Sequence, residues 1–254
     1  MFPAFFLALA ETAKMLYYNV IKLLEEFMTR LVFCDLDGTL LPRGAQTLDP
    51  QIISHIERLC DKGIVFAVAS GRSYEQLYRI FRPVAHKIVF VCLDGALVLH
   101  RGCVLYKKFL CKHEAARLLS LCDRGTVFGR TETAEITENT PSTRIPEIIN
   151  RRGSEVVKVA LYGASPKSDI ARICYNRDGI CEYVSASADK GEAARAVMSK
   201  FRIDPSQTAA VGDGENDLPL LRTVGAPFAA EGCEFALSRE FPSAGNILDW
   251  LSKF

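Results

Sequence analysis

The sequence lacks a net charge of any size, because 31 lysine and arginine residues are balanced by 30 aspartate and glutamate residues, leaving +1. A protein that binds nucleic acid through its phosphate backbone needs a field of positive charge. The near-neutral balance gives no support to such binding, so we expect no nucleic-acid partner.

Paired cysteines are also missing. The nine cysteines are scattered singly, without a C-x-x-C pair and without histidines at zinc-finger spacing. Their odd number and their scatter favour reduced, mostly buried thiols, as in a cytosolic protein. We therefore expect a cytoplasmic location and no structural zinc site.

No apolar run is long enough to span a membrane. Residues 2–10 form a short apolar stretch, far below the roughly 20 residues that cross a bilayer, and no basic residues precede it as in a signal peptide. Heptad spacing instead predicts a helical extension over residues 1–28, with a seam of Phe2, Phe6, Leu9, Ala13, Leu16, Val20, Leu23 and Phe27. We expect it to dock on the protein's own surface or to precede the true start, for which Met28 is a candidate. Self-association, docking of a partner and binding to a membrane surface are the alternatives.

From residue 31 onward, strand patterns alternate with helical ones. Continuous apolar runs predict strands at 31–36, 64–70, 88–92 and 207–212, as expected for strands that are covered on both faces. Helical spacing separates them, for example at 50–61. This alternation predicts an α/β fold with a Rossmann-like parallel sheet.

The middle of the chain departs from this alternation. Its predicted elements are a hairpin at 96–109, a helix at 111–123, a polar loop at 130–145, a strand at 156–162, a helix at 168–175 and a strand at 180–186. The pattern predicts an α+β cap domain at 93–186, inserted between core segments 29–92 and 187–254.

Polar residues cluster where the predicted strands end. These residues are Asp35 and Asp37 after the first strand, Ser70, Gly71 and Arg72 after the second, Asp213, Asn216 and Asp217 after the last, and Lys190 at the start of the preceding helix. Ligands of parallel sheets bind beyond the carboxyl ends of the strands. Two like charges about 4 Å apart repel by about 4 kcal/mol at a protein surface, so four acids in one crevice call for a cation. Oxygen ligands suit Mg²⁺.

Each stretch also has a simpler interpretation when taken alone. The acids at 35 and 37 are compatible with an Asx turn, Ser70 with a helix cap, and Lys190 with a solvated surface charge. A dinucleotide-binding loop at 212–217 is excluded, because its third glycine is missing. The conjunction of four elements in this order favours a catalytic site.

The order of these motifs resembles the haloacid dehalogenase superfamily of aspartyl-phosphate phosphatases. The matching motifs are Asp35-Leu36-Asp37-Gly38-Thr39, Ser70-Gly71-Arg72, Lys190-Gly191 and Gly212-Asp213-Gly214-Glu215-Asn216-Asp217. The long interval between the second and third motifs resembles the large C2-type cap of the Cof-type subfamily. Leu93-Asp94-Gly95-Ala96 looks like the Asn-Gly-Ala that leads into that cap, with Asp in place of Asn. The chain departs from the Cof-type pattern at Leu221, at 227–236 and in its first 28 residues.

This resemblance implies a Mg²⁺-dependent hydrolase that removes phosphate from a small metabolite, such as a sugar phosphate or a phosphorylated cofactor. Asp35 is then the nucleophile, Asp37 the general acid and base, and Lys190 the neutralising cation. Repulsion between Asp35 and Asp37 is expected to raise the proton affinity of one of them. The implied phosphate-binding residues are Leu36, Thr39, Ser70, Gly71, Arg72, Lys190 and Asn216.

The implied metal ligands are Asp35, Asp213 and the backbone carbonyl of Asp37, with Gly214 and Asp217 in support. Arg72 remains open between a phosphate contact and a structural ion pair. Contacts to the leaving group are expected in the 130–145 loop and near Asp94. Two other functions stay open: a phosphomutase of the same superfamily, and a non-catalytic, phosphate-binding regulatory module.

Overall fold

The computed structural model describes residues 28–45, 47–129, 133–151 and 155–254. The predicted helical extension over 1–28 therefore lies outside the described residues, apart from Met28. No helix within the described ranges has the length and apolar character needed to cross a membrane.

The described residues form two sheets. The strands are β1 (Leu31–Asp35), β2 (Val65–Ala69), β3 (Val89–Cys92), β4 (Leu97–His100), β5 (Cys103–Lys107), β6 (Arg124–Phe128), β7 (Thr133–Ile136), β8 (Lys158–Tyr162), β9 (Ala171–Arg177), β10 (Ile180–Ser185), β11 (Thr208–Gly212) and β12 (Ala226–Ala229). The first sheet has the order β12-β11-β1-β2-β3-β4-β5, and the second has the order β7-β6-β8-β10-β9. Strands β12 to β3 of the first sheet run parallel, which confirms the predicted α/β fold.

Helices cover both faces of the first sheet. The α-helices of the described residues, counted over both sheets, are α1 (Pro50–Asp61), α2 (Tyr74–Ile80), α3 (Lys112–Leu119), α4 (Ile145–Arg151), α5 (Lys190–Phe201), α6 (Leu218–Leu221), α7 (Phe235–Glu240) and α8 (Ile247–Ser252). Alternate residues of β1 point to opposite faces. Val32 and Cys34 share one apolar cluster with residues of α1 and α8. Leu31 and Phe33 share the other with residues of α5 and α6. Burial on both faces explains why β1 is apolar at each position before Asp35.

The second sheet is antiparallel and has a core of its own. Strands β6, β8 and β10 lie at its centre, with β7 and β9 at its edges. Its buried apolar residues pack with those of α3 and α4. This arrangement agrees with the α+β character expected for the middle of the chain.

Three expectations for the middle of the chain are wrong. The helix predicted at 168–175 is largely strand β9, because the Ser168 hydroxyl accepts from the backbone N–H groups of Ile170 and Ala171 in a turn that leads into the strand. The loop predicted at 130–145 contains β7 and the first residue of α4. The hairpin β4–β5 pairs with β3 in the first sheet, so the predicted cap boundary at residue 93 falls before strands that belong to the core sheet.

The cysteines are less buried than their scatter predicts, since three of the nine are buried: Cys34, Cys92 and Cys181. All nine are free. Cys103 and Cys111 are exposed, and the others are buried or half-buried.

Candidate active site

Neighbouring parallel strands bring the predicted site residues together. Strands β11, β1 and β2 are adjacent and parallel, so their carboxyl ends share one edge of the sheet. Asp35 is the last residue of β1, Ser70 follows β2, and Asp213 follows β11. These three buried residues line one cavity of about 640 Å³.

Lys190 is the buried cation at this edge. It is the first residue of α5, and its Nζ lies 2.7 Å from Asp35 Oδ1 and 2.6 Å from Asp217 Oδ1. Burial opposes the charge of Lys190, but Asp217 and Asp35 outweigh it and raise the pKa of the ammonium above its ordinary value. Lys190 is therefore a stable positive charge beside the predicted nucleophile.

Asp35 lies in surroundings that disfavour its own charge. Burial raises the pKa of Asp35 well above its usual range, and the charge of Asp217 raises it further, whereas Lys190 acts in the opposite direction. Asp35 Oδ1 accepts from Lys190, while Oδ2 is buried and receives no hydrogen bond from the described residues. A buried carboxylate oxygen of this kind requires a cation or a donor.

Asp213 and Asp217 lie beside Asp35, and one oxygen from each of the three carboxylates lies within 4.8 Å of the others. Asp217 already accepts with both oxygens: from Lys190 at Oδ1, and from the backbone N–H groups of Asp213 and Gly214 at Oδ2, each at 3.1 Å. The oxygens best placed for a metal therefore belong to Asp35 and Asp213. This donor set fits a hard divalent cation such as Mg²⁺.

An arginine that the sequence did not mark lies against Asp213. Arg43 Nη2 donates to Asp213 Oδ2 at 2.9 Å, and the arginine side chain is 66% exposed. Burial raises the pKa of Asp213, and the bond from Arg43 counters that effect. Because Arg43 is so exposed, it can leave Asp213 at little cost when another cation binds there.

Two glycines allow the close approach of these loops. Gly38 has φ of +91°, and a Cβ at this position would overlap Asp213 Oδ2. A Cβ at Gly212 would lie 2.5 Å from the Asp217 carboxyl carbon. A side chain at either position would separate the carboxylates that the motifs bring together.

Asp37 is held by Arg72. Arg72 Nε donates to Asp37 Oδ2 at 2.9 Å, and Arg72 Nη2 donates to Asp37 Oδ1 at 2.6 Å. Of the two roles left open for Arg72, the ion pair is the one present in this structure. Asp37 lies beyond the end of β1 and is half-exposed, so the predicted repulsion with Asp35 is not the main effect. Burial and Asp217 are the leading causes of the raised pKa of Asp35.

The remaining predicted phosphate-binding residues divide into three that line this cavity and two, Thr39 and Leu36, that do not. Ser70, Gly71 and Asn216 line the cavity, and Asn216 Nδ2 donates to Asp94 Oδ1 at 3.0 Å. Thr39 is buried, and its hydroxyl has no hydrogen-bond partner among the described residues. The Leu36 side chain is fully buried, so only its backbone can contact a phosphate.

The second sheet forms the opposite wall of the cavity. That wall consists of Ile173, Cys174, Tyr175, Asn176, Asp178 and Glu182. Asp94, near which contacts to the leaving group are expected, also lines the cavity. Contacts to the leaving group are also expected in the 130–145 loop, but the wall is built on β9 and β10 instead. The sequence predicts a helix in place of β9 and a strand at β10.

Lys158, on β8, also escaped sequence reasoning. Its side chain is 2% exposed and pairs with Asp94 and Glu182. The available signal was a lysine inside the apolar run VVKVALY, because a lysine in a buried strand must have a partner. Arg43 lies in a loop, where no residue pattern marks it.

The sequence matches the model of one family, described as haloacid dehalogenase-like hydrolase, over residues 32–139 and 131–232. These two ranges include the four motifs. The 5-amino-6-(5-phospho-D-ribitylamino)uracil phosphatase YbjI of Escherichia coli is 22% identical, over 88% of this chain and 95% of that protein. The mannosyl-3-phosphoglycerate phosphatase of Pyrococcus furiosus is 30% identical, over 79% of this chain and 90% of that protein.

The fold is similar to solved structures as well. The crystal structure of TM0651 from Thermotoga maritima superimposes with a TM-score of 0.75, covering 89% of this chain and 98% of that one, at 17% identity. At this level of identity the similarity concerns the fold alone. The superimposed region extends over both sheets, because 89% of the chain is more than either sheet with its helices contains.

Proposed function

The chain belongs to the haloacid dehalogenase-like hydrolases and is a phosphatase, and from this premise we propose that it hydrolyses a small phosphorylated metabolite with Mg²⁺ as cofactor. The proposed intermediate is an aspartyl-phosphate on Asp35. The observation that carries the proposal is the buried contact of Lys190 with Asp35 and Asp217, next to Asp213, at the carboxyl ends of parallel strands.

Asp35 is the nucleophile. Its carboxylate attacks phosphorus, an oxygen–phosphorus bond forms, and the bond from phosphorus to the leaving oxygen breaks. Asp37 gives a proton to the leaving alkoxide. It later accepts a proton from the water that attacks the aspartyl-phosphate, which breaks the bond between the Asp35 oxygen and phosphorus and releases inorganic phosphate. Both carboxylates line the cavity, as these two steps require.

Asp35 and Asp213 would hold the metal, together with the backbone carbonyl of Asp37. The buried, unpartnered Oδ2 of Asp35 supports this assignment, as does the nearby carboxylate of Asp213. When bound, Mg²⁺ supplies positive charge that offsets the repulsion between a carboxylate and a phosphate dianion. Arg43 then exchanges its bond to Asp213 for solvent or substrate.

The transferring phosphoryl group is held by donors that converge on the cavity. Lys190 supplies a charge that is fixed before substrate arrives, and Ser70, the Gly71 amide and Asn216 supply hydrogen bonds. Preorganised donors of this kind stabilise charge that develops in the transition state. Asp217 positions Lys190 and the backbone of the Asp213 loop.

The leaving-group side of the cavity favours an uncharged substrate moiety. Asp178, Glu215 and Glu234 are carboxylates in its lining, and Arg43, which donates to Asp213, is the cation among its lining residues. Ile173 and Tyr175 add apolar surface that is more than a third exposed. These groups suit a polyol or a ring better than a carboxylate, because like charges repel across a short gap.

A panel of phosphorylated metabolites tests the proposal through release of inorganic phosphate with Mg²⁺ present. We expect hydrolysis of a subset of neutral sugar or polyol phosphates, and loss of activity after treatment with EDTA that Mg²⁺ restores. Full activity after exhaustive chelation contradicts the metal assignment. Interconversion of phosphate isomers without phosphate release identifies a phosphomutase instead.

A further inference from the structure

Lys158 is a buried cation that reaches from the second sheet to the phosphate-binding side of the first. Its Nζ donates to the Gly71 carbonyl oxygen at 3.1 Å and to Asp94 Oδ2 at 3.2 Å, and it also pairs with Glu182. The ammonium lies 5.6 Å from the centre of the Phe128 ring. Gly71, Asp94 and Glu182 line the cavity, and Lys158 lies behind them, so it contacts the residues that bind substrate.

Asp94 connects Lys158 with Asn216 through its two carboxylate oxygens. Its Oδ2 accepts from Lys158, and its Oδ1 accepts from Asn216 Nδ2 at 3.0 Å. Its backbone N–H donates to the Ser70 carbonyl oxygen at 3.1 Å. One carboxylate thus connects a lysine of the second sheet with two of the proposed phosphate-binding elements.

The backbone fixes Asp94 in place. Asp94 has φ of 55°, a left-handed conformation, and Gly95 follows with φ of +88°. A Cβ at Gly95 would overlap the Asp189 carbonyl oxygen, at the start of α5. Gly95 is therefore packed against the turn that presents Lys190, which anchors the backbone next to Asp94.

The buried charge of Asp94 depends on Lys158. Burial by itself would raise the pKa of Asp94, yet Lys158, Lys190 and the Asn216 hydrogen bond lower it to about 2. Removing one partner of a buried pair leaves the other charge without compensation, which is strongly unfavourable. Without Lys158, the carboxylate has to rotate or take up a proton, and either change alters the acceptor that Asn216 uses.

Lys158 also neutralises a second cluster of acidic residues beside the cavity. Asp94, Cys174 and Glu182 place ligand atoms within 4.8 Å of one another, as a metal site does. The Lys158 ammonium bonds to both carboxylates of this cluster, so the chain itself supplies the cation.

We propose that Lys158 is a positioning residue: through Asp94 and the Gly71 carbonyl, it sets the orientation of Asn216 and of the Ser70–Gly71 turn toward the phosphoryl group. This inference rests on the proposed function. It also makes the phosphate site dependent on the second sheet, because Lys158 belongs to β8, whereas Gly71 and Asp94 follow strands β2 and β3 of the first sheet.

The hydrogen-bond inventory of Asp94 gives a sharp test. A carboxylate accepts from Lys158 and Asn216 at once, whereas an asparagine offers one acceptor oxygen to two donors. Asp94→Asn alone should therefore weaken phosphate binding, and so should Lys158→Met alone. In the double variant, the introduced asparagine has a single donor to satisfy, Asn216, and the pair of Lys158 with Asp94 is removed as a whole, while Glu182 and the Gly71 carbonyl oxygen lose their contact with Lys158.

The measurement is the inhibition constant of inorganic phosphate against an aryl phosphate substrate with Mg²⁺. This constant does not depend on the concentration of active enzyme, so partial misfolding does not change it. We expect it to rise roughly tenfold, a difference of about 1.4 kcal/mol, in each single variant, and to return toward the wild-type value in the double variant. Such non-additivity is the signature of coupled groups.

Lys107→Met is the matched control. Lys107 is also a strand lysine with a carboxylate partner, Glu155 at 2.9 Å, and a phenylalanine ring nearby, that of Phe109. It lies outside the cavity lining, and its replacement should leave the inhibition constant unchanged.

The outcomes separate the two proposals. A folded wild-type protein that hydrolyses no phosphate ester with Mg²⁺ overturns the proposed function. If the wild type is active and the inhibition constant of folded Lys158→Met stays within twofold of the wild-type value, the role of Lys158 alone is overturned. The same holds if the free-energy loss in the double variant equals the sum of the losses in the two single variants. If Lys158→Met does not fold, Asp94→Asn and the double variant decide: a double variant weaker than Asp94→Asn counts against the inference.

Discussion

Lys190 Nζ lies 2.7 Å from Asp35 Oδ1, and both side chains are buried. The two residues are 155 positions apart in the sequence, one at the end of β1 and the other at the start of α5. Their contact places a fixed positive charge against a carboxylate whose pKa is raised first of all by burial. The ion pair therefore does two things: it holds the carboxylate of Asp35, the proposed nucleophile, in position, and it favours the charged form of that carboxylate.

Replacing Lys190 with methionine should destabilise the protein and abolish turnover. Asp35 and Asp217 would both remain buried without their cation, and breaking a buried pair costs about 3–5 kcal/mol. Urea unfolding measures the first effect, and hydrolysis of an aryl phosphate measures the second, with a fall of at least about a hundredfold expected for a lost electrostatic contact.

Lys87→Met is the matched control for this variant. Lys87 also pairs with two carboxylates, Glu57 at 2.9 Å and Asp61 at 2.8 Å, but at the surface, where both acids are about half-exposed or more. Its loss should affect stability far less and leave activity intact. Equal effects of the two replacements would contradict the special status of the buried lysine.

Replacements of the two aspartates of the first motif should affect different steps of the reaction. Asp35→Asn should prevent formation of a phosphorylated protein, because the attacking oxygen is gone. Asp37→Asn should slow turnover by about 10²–10⁴-fold, the usual range for a general acid–base group, and most severely for poor leaving groups. Acid-quenched protein, digested and examined by mass spectrometry, reports the phosphorylated residue. Retention of phosphate on acid-quenched Asp35→Asn protein would show that the nucleophile is a different residue.

The raised pKa of Asp35 predicts a pH-dependent stability difference in metal-free protein. Below the ordinary value of about 4, the carboxyl is protonated in both the folded and the unfolded chain. As pH rises, the unfolded chain releases this proton before the folded chain does, so the Asp35 contribution to stability falls until pH passes the folded pKa. In EDTA, Asp35→Asn should therefore melt at a higher temperature than wild type at pH 7, with the difference shrinking toward pH 4.

Mg²⁺ should reverse this order. A ligand that binds only the folded state stabilises it by about 2.7 kcal/mol at a concentration of 100 Kd, and the Asp35→Asn variant loses one ligand. Thermal melts of both proteins with and without Mg²⁺ make the comparison. A wild type that melts higher than the variant in EDTA at pH 7 would contradict the burial argument.

Most of the residues that sequence reasoning found stand at or just beyond the ends of strands that have a clear apolar pattern, and Lys190 begins the helix before β11. Asp35, Ser70 and Asp213 belong to this group, since parallel pairing alone brings the carboxyl ends of β1, β2 and β11 together. Lys158 depends instead on the docking of an antiparallel sheet onto the first one, and no local pattern encodes that contact. Arg43 depends on a loop conformation.

The errors in the middle of the chain have a related cause. Strand β9 lies at the edge of its sheet and alternates weakly, with Ile173 and Tyr175 exposed. A short strand without strict apolar and polar alternation is hard to tell from a helical segment in a single sequence. The hairpin β4–β5 was predicted as a hairpin, but its pairing with β3 is a tertiary contact that sequence spacing does not report.

The carboxylates on the leaving-group side of the cavity predict that the enzyme discriminates against substrates whose leaving group is negatively charged. Glycerol 3-phosphate and 3-phosphoglycerate differ only in a hydroxymethyl group against a carboxylate, so this pair isolates the effect. Two like charges about 7 Å apart repel by about 2 kcal/mol at an effective dielectric constant of about 20. We expect kcat/KM to favour glycerol 3-phosphate by roughly tenfold or more after screening by salt. Glu215→Gln should narrow this ratio, because Glu215 is an exposed carboxylate of the lining, whereas Glu75→Gln on α2, remote from the cavity, should leave it unchanged. A preference for 3-phosphoglycerate in the wild type, lost in Arg43→Met, would contradict this prediction and assign Arg43 to a carboxylate of the substrate.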